Sequence, residues 1–232
     1  MAMTIHAIAD LHLDSGGKPM DVFGERWANH AERIFANWRE RVSEHDLVLI
    51  PGDISWAMQL QEAREHLRQI GELPGEKLIL RGNHDYWWGS IGRVRDALPA
   101  RMYALQNDSF AFGEVVIAGS RGWMLPQDGG TPDDVKIYER ELIRLRISME
   151  DARRRQPQAP MVVMMHFPPL TQEDRDTGFV RLLHEYGAKA CAYGHLHGAS
   201  LHTAVRGHVD GVKYVQVSSD GIDFCPVAIC EA

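Results

Sequence analysis

The chain is predicted to be an α/β protein with a mainly parallel sheet and a second sheet packed against it. Three observations carry this. Five apolar runs, at residues 3–9, 46–51, 77–81, 161–165 and 190–193, are rich in Ile, Leu, Val, Met and Ala and show little polar alternation, as strands covered on both faces do. Helical periodicity between them implies βαβ units. Two hairpin patterns later in the chain supply antiparallel additions of the kind that form a second, packed sheet. The 232 residues suffice for one sizeable domain, and residues 1–232 are read as one, since no repeat or linker divides them.

Taken in order, residues 3–9 read as a first strand rather than a leader, because no positive segment and no apolar core of signal-peptide length precedes Asp10. Over residues 25–42 the apolar positions Trp27, Ala31, Ile34, Phe35, Trp38 and Val42 recur at helical steps and predict one buried stripe. Residues 56–73 repeat the pattern through Leu60, Ala63, Leu67 and Ile70 and stop at Pro74-Gly75. Residues 102–119 read as a hairpin turning at Gly113-Glu114, and residues 201–217 as another turning near Asp210-Gly211. Residues 121–134, with three glycines and two prolines, read as a loop before a charge-rich helix over 133–155. Residues 226–229 read as a final strand.

The composition, 44% hydrophobic and 25% charged, is that of an ordinary globular chain. A formal net charge of -7 argues against stable nucleic-acid binding through a general basic surface. No apolar stretch approaches the roughly 18 to 20 residues of a membrane span, so no membrane partner is expected. Cys191, Cys225 and Cys230 form an odd set without CxxC spacing, which fits reduced cysteines and a cytoplasmic location.

Five polar clusters punctuate the chain: Asp10-Leu11-His12, Gly52-Asp53, Gly82-Asn83-His84-Asp85, His166 and Gly194-His195-Leu196-His197. Four of them directly follow an apolar run, so they would emerge at strand carboxyl ends, where ligands of α/β sheets collect. On a continuing strand Asp10 and His12 would point to one face and share a cation. Asp53 is placed to bridge two ions, Asn83 offers a carbonyl oxygen, and His166, His195 and His197 offer imidazoles. Taken singly, Asp-x-His also caps loops, Gly-Asp is a common turn, and a lone strand-end histidine is often a hydrogen-bonded structural one. The Asn-His-Asp and His-x-His clusters are sharper, because burial has no use for so many convergent polar groups. Carboxylate, imidazole and amide ligands without cysteine suit two close divalent cations of the Mn, Fe or Zn type.

Together and in order, the clusters resemble the pattern of the calcineurin-like metallophosphoesterase superfamily over residues 10–197. The layout is also similar to a group of bacterial predicted phosphohydrolases of unassigned substrate. The resemblance implies a sandwich of two mixed sheets flanked by helices, in four α/β/β/α layers. It implies one metal on Asp10, His12, Asp53 and His197 and a second on Asp53, Asn83, His166 and His195, with manganese favoured by analogy. It further implies that a metal-bridging hydroxide attacks phosphorus in a small phosphomonoester or phosphodiester. His84, outside the ligand set, is the expected general acid, with Asp85 orienting its imidazole. Departures narrow the family: Gly52-Asp53-Ile54-Ser55-Trp56 lacks the Asp-Arg-Gly continuation of the protein phosphatases, Trp56 stands where purple acid phosphatases have tyrosine, and His84 stands where lipid-A pathway pyrophosphatases have arginine.

Trp56, Trp87, Trp88 and Trp123 lie near cluster ends or in the 121–134 loop and would line a pocket or simply pack helices on the sheet. Arg121 and Trp123 are the candidate substrate contacts, and Arg81 and Arg121 would meet phosphate or form surface ion pairs. Two rivals to a small-molecule hydrolase are a nuclease and a metal-stabilised binding protein without turnover. The intact His84 argues against the second.

Overall fold

The computed structural model describes residues 3–14, 17 and 19–232 and resolves the strands into two sheets. Strands β1 (Thr4–Ala7), β2 (Leu47–Pro51), β3 (Glu76–Leu80) and β4 (Met102–Ala104) run parallel in the first. In the second, β6 (Val115–Ser120), β7 (Met161–Met165), β8 (Ala188–Tyr193) and β10 (Val212–Gln216) are parallel, with β5 (Phe110–Phe112) and β9 (Gly207–Val209) as antiparallel edges. β11 (Val227–Glu231) returns to the first sheet antiparallel to β1, giving the orders β11-β1-β2-β3-β4 and β5-β6-β7-β8-β10-β9. The second sheet is therefore not made of hairpins alone: β7 and β8, two of the five apolar runs, form its parallel centre. A strand buried on both faces has the same composition in either sheet, so the run itself does not name its partner.

The alternation within each run decides its layer. Leu47 and Leu49 of β2 meet Ile117, Val162, Met164, Ala190 and Ala192 of the other sheet in the central core. Val48 and Ile50 turn outward to α1 (His30–Arg41), α2 (Leu60–Gly71) and α3 (Ile91–Ala97). On the far side Val116, Val163 and Cys191 pack under α4 (Pro132–Arg155) and α5 (Gly178–Glu185). The result is the expected four-layer sandwich of two mixed sheets flanked by helices. Each fully buried Leu, Ile or Val side chain contributes roughly 1.5–3 kcal/mol.

Local chemistry sets the helix ends. Thr131 and Asp134 form a reciprocal capping box and Pro132 takes the first turn of α4, so the helix begins one residue before the expected 133. α2 starts at Leu60 rather than 56, because Gln59 adopts an extended conformation and caps the helix with Glu62. α1 starts at His30 rather than 25, because Asn29 sits in the left-handed region at φ 51° and residues 25–27 form a separate 3-10 turn. These shortened helices leave Trp27 and Trp56 in the segments before them, where both turn toward the strand ends. The hairpin expected over 102–119 is β5–β6 only, since β4 pairs with β3 instead. The second hairpin turns at Asp210-Gly211 as expected, although residues 198–203 before it are a 3-10 segment. All three cysteines are free. Among the described residues no helix is long and apolar enough to cross a membrane.

Candidate metal centre

Every cluster singled out in the sequence lies just beyond a strand carboxyl end: Asp10 and His12 after β1, Asp53 after β2, Asn83 and His84 after β3, His166 after β7, and His195 and His197 after β8. The two sheets place those ends on one edge of the sandwich. Asp10 and His12 do not continue the strand, however. β1 ends at Ala7, and Asp10, His12, Asp53 and His195 all have positive φ, at 59°, 44°, 52° and 72°. Left-handed backbone at a non-glycine residue costs of order 1–3 kcal/mol, so four such residues in one place mark a strained edge held by its surroundings. The Nε2 of His30 bonds the carbonyls of Leu11 and His12 at 3.1 and 3.3 Å and secures the first of these turns.

The side chains converge as two groups. Asp10, His12 and His197 offer ligand atoms within 4.8 Å of one another, as do Asp10, Asp53 and His166. Asp10 belongs to both, and Asp53 Oδ2 lies between them, 3.9 Å from His12 Nε2 and 3.5 Å from His166 Nε2. Asn83 Oδ1 stands 2.6 Å from His166 Nε2 and 3.1 Å from His195 Nδ1. The proton of His166 is assigned by the 2.9 Å contact of its Nδ1 with the Pro51 carbonyl, which accepts it. Nε2 then presents a lone pair toward the oxygens of Asn83 and Asp53. Three acceptors aimed at one another call for a cation.

Other observations agree that this donor set fits metal ions. Asp10 is fully buried, and its Oδ1 has no hydrogen-bond partner while Oδ2 accepts the N–H of His195 at 3.0 Å. A Cβ on Gly82 would stand 2.1 Å from Asp53 Oδ1, and one on Gly194 2.5 Å from Asp10 Oδ2, so both glycines leave room for the carboxylates.

The electrostatics are those of ligands without their cation. Burial, reinforced by the charges of Asp10 and Asp85, pushes the Asp53 carboxyl well above its usual range. Burial also lowers His12 and His166, and brings His195 down to about 3, so these imidazoles are neutral donors at pH 7. For His197 burial is outweighed by Asp10 and Asp220, which raise it to about 10. Asp220 is the functional residue that sequence reasoning missed. Fully buried after β10, it meets His197 Nδ1 at 2.8 Å with Oδ1 and accepts the N–H of Gly198 at 2.8 Å with Oδ2. It thereby leaves Nε2 facing Asp10, in the carboxylate–histidine arrangement typical of metal sites. Its signal was available: Ser218-Ser219-Asp220 is one more polar cluster just after a strand, β10.

His84 stands apart from both ligand groups. Its backbone N–H donates to Asp53 Oδ1 at 2.8 Å, and its ring lies 4.8 Å from Trp56 and 5.9 Å from His12. With His12, His197, Met20, Phe23, Trp27 and Trp56 it lines a cavity of about 270 Å³. Trp56 stacks on His12 at 4.7 Å, which fixes that imidazole ring.

Asp85 does not orient His84. Its carboxylate is filled by the N–H groups of Asp53 and Gly82 at Oδ2, at 2.9 and 2.8 Å, and of Ile54, Ser55 and the Trp87 indole at Oδ1, at 2.9, 3.3 and 2.9 Å. It locks the turns after β2 and β3 together, and so sets the distance between Asp53 and Asn83. Trp87 and Trp88 pack in the core under α3, as the plainer of their two readings had it.

Arg121 and Trp123 lie on the other flank. The Arg121 guanidinium is 4.4 Å over the Trp123 ring, which is 4.9 Å from Phe167, itself 4.0 Å from His195. Burial lowers Arg121 to about 10 against the opposing pull of Glu141. Its carbonyl accepts the N–H groups of His166 and Phe167 at 3.1 and 2.9 Å. Both residues therefore border the centre on the His195 side, away from the cavity holding His84.

A family model described as calcineurin-like phosphoesterase matches residues 3–199. No curated protein matches the chain. Two solved structures share the fold. A protein of unknown function from Aquifex aeolicus, AQ665, superposes with a TM-score of 0.52 at 14% identity, over 97% of this chain and 95% of its own. A phosphopantetheinyl hydrolase (PptH) from Mycobacterium tuberculosis gives a TM-score of 0.54 at 18% identity, over 94% of this chain and 89% of its own.

Proposed function

Because this chain belongs to the calcineurin-like phosphoesterase family, and is on that ground a phosphoric ester hydrolase, we propose that it acts on a small phosphoester at a centre of two divalent cations. Asp10, His12, Asp53 and His197 would hold one, and Asp53, Asn83, His166 and His195 the other, with manganese the first candidate and iron or zinc the alternatives. Such cations would lower the pKa of bound water to about 7 and offset charge on the phosphoryl oxygens. The observation that carries the reading is the meeting of Asn83 Oδ1, His166 Nε2 and Asp53 Oδ2 beside an Asp10 Oδ1 that accepts no hydrogen bond.

The protein's own groups do the rest. His84, outside the ligand groups but on the wall of the same cavity, holds a proton for the departing oxygen. Met20, Phe23, Trp27 and Trp56 exclude water around that oxygen and take the apolar part of the alcohol it belongs to. Asp220 and Trp56 keep His197 and His12 in their ligand orientations.

The test pairs metal analysis with turnover. Manganese-loaded protein should contain about two ions per chain, cleave bis-p-nitrophenyl phosphate or p-nitrophenyl phosphate, and leave DNA intact. His84→Ala should keep its metal and lose about 10² to 10⁴ in kcat. A single ion per chain would sink the dinuclear centre. Preferential cleavage of DNA would make the protein a nuclease.

A further inference from the structure

Separate from the aromatic cavity, with no lining residue in common, the ends of β3 and β6 enclose a second cavity of about 210 Å³. Its walls carry three guanidinium groups, Arg81, Arg121 and Arg144, and one carboxylate, Glu141. Glu141 is 1% exposed and shared, 2.6 Å from Arg144 and 3.7 Å from Arg121. Three positive charges against one negative leave an excess of two. The Nε atoms of Arg81 and Arg121 are buried without a hydrogen-bond partner, and Arg81 forms no ion pair among the described residues. A buried guanidinium donor left unmade is costly, and such groups are ordinarily matched by an oxyanion.

The cavity is tied to the metal centre through the backbone. Arg81 precedes Asn83 by two residues, so their Cα atoms are at most about 7.6 Å apart. The carbonyl of Arg121 holds the N–H of His166. A group bound here is thus within reach of a molecule whose phosphoryl end lies at the metals.

We infer that this arginine cavity is a second anion subsite that takes a phosphate group borne by the substrate in addition to the one that reacts. A phosphate dianion matches the excess of two positive charges, whereas a carboxylate would leave one of them uncompensated. The assignment of this group to the substrate rests on the phosphoesterase reading; the binding of phosphate by the arginines does not.

The experiment measures inhibition of bis-p-nitrophenyl phosphate turnover by the manganese-loaded chain of 232 residues. Methyl phosphate is compared with a series of alkane-α,ω-diol bisphosphates. The best bisphosphate should bind at least about tenfold more tightly than methyl phosphate, the worth of one charge-assisted contact set. That ratio should collapse in Arg81→Gln, and in Arg121→Gln where that buried substitution still folds. Equal inhibition by all members of the series in the wild type overturns the proposal, as does a ratio unchanged in Arg81→Gln. A readout independent of turnover separates the two readings: crystals of the loaded protein soaked in selenate should show anomalous density between Arg81 and Arg121 that Arg81→Gln removes. Density there without any bisphosphate advantage would mean that free phosphate, not the substrate, occupies the site, and would overturn the substrate role. If the loaded wild type turned over no ester, the phosphoesterase reading would fall and the selenate map alone would decide the subsite.

Discussion

Along β2 and β7 the chain passes within a few residues from Leu49 and Val162, buried between the sheets, to Asp53 and His166, just as buried beyond the strand ends. Below, the backbone is regular and the side chains are apolar. Above, Asp10, Asp53 and His195 take left-handed backbone, Asp10 Oδ1 accepts no hydrogen bond, and carboxylates stand within 4 Å of imidazoles at contacts too long for hydrogen bonds. The two regions share strands and burial and differ in whether their groups are satisfied. Stability is gained in the first and partly given up in the second, where cation chemistry needs the polar groups unmet.

Substitutions in the two regions should therefore have opposite signatures. The largest effect is expected of Asp53→Asn, which tolerates the left-handed backbone but removes the charge proposed to serve both cations. Metal content should fall and turnover drop by at least about 10³-fold, while the metal-free protein gains stability, because a buried carboxyl pushed up by burial and by Asp10 and Asp85 is gone. Full metal occupancy by plasma emission would count heavily against the role given to Asp53. The mirror experiment is Leu49→Ala in the central core. It should lower stability by about 2–5 kcal/mol in urea titration and leave the metal stoichiometry intact; a loss of metal would erase the distinction between the regions.

Asp220→Asn probes the boundary, since Asp220 touches no expected cation but orients one ligand. Manganese affinity should weaken about 10- to 100-fold by calorimetry, and an unchanged affinity would reduce Asp220 to a loop anchor. The smallest effect is expected far from the centre. Asp46 accepts the N–H groups of Thr4 at 2.9 Å and Ser43 at 2.7 Å, and these contacts, with His6 helping, outweigh burial and hold its carboxyl below the ordinary range. A carboxyl lower in the folded than in the unfolded state stabilises above its unfolded value, near pH 4, and that stability is lost as pH falls through the folded value. In chelator-treated protein Asp46→Asn should cost about 1 kcal/mol at pH 7 and flatten the fall in melting temperature between pH 5 and 3. Parallel curves for the two proteins would assign the acid sensitivity elsewhere.

What was legible in the sequence follows the same division. The apolar runs showed the strands, and the polar clusters at their ends showed seven side chains that the fold brings together, because both signals are local. Asp85 was misread because its neighbour in sequence is His84, while its hydrogen bonds reach across to the turn after β2. Trp27 and Trp56 were read as parts of helices that begin only after them, since periodicity is blind to the caps at Asn29 and Gln59. Asp220 shows in the sequence as a polar cluster after a strand, but its contact with His197, like the Arg81–Arg121–Arg144 cavity, joins distant segments that no spacing reveals.

By itself the sequence determined the α/β class, the strand positions and the chemistry offered at their ends, because periodicity and residue type are properties of short stretches. Tertiary structure alone decided which runs share a sheet, which oxygen faces which imidazole, and which arginines gather around a single carboxylate. Those are distances between residues far apart in the chain, and they exist only once the two sheets have closed on their common core.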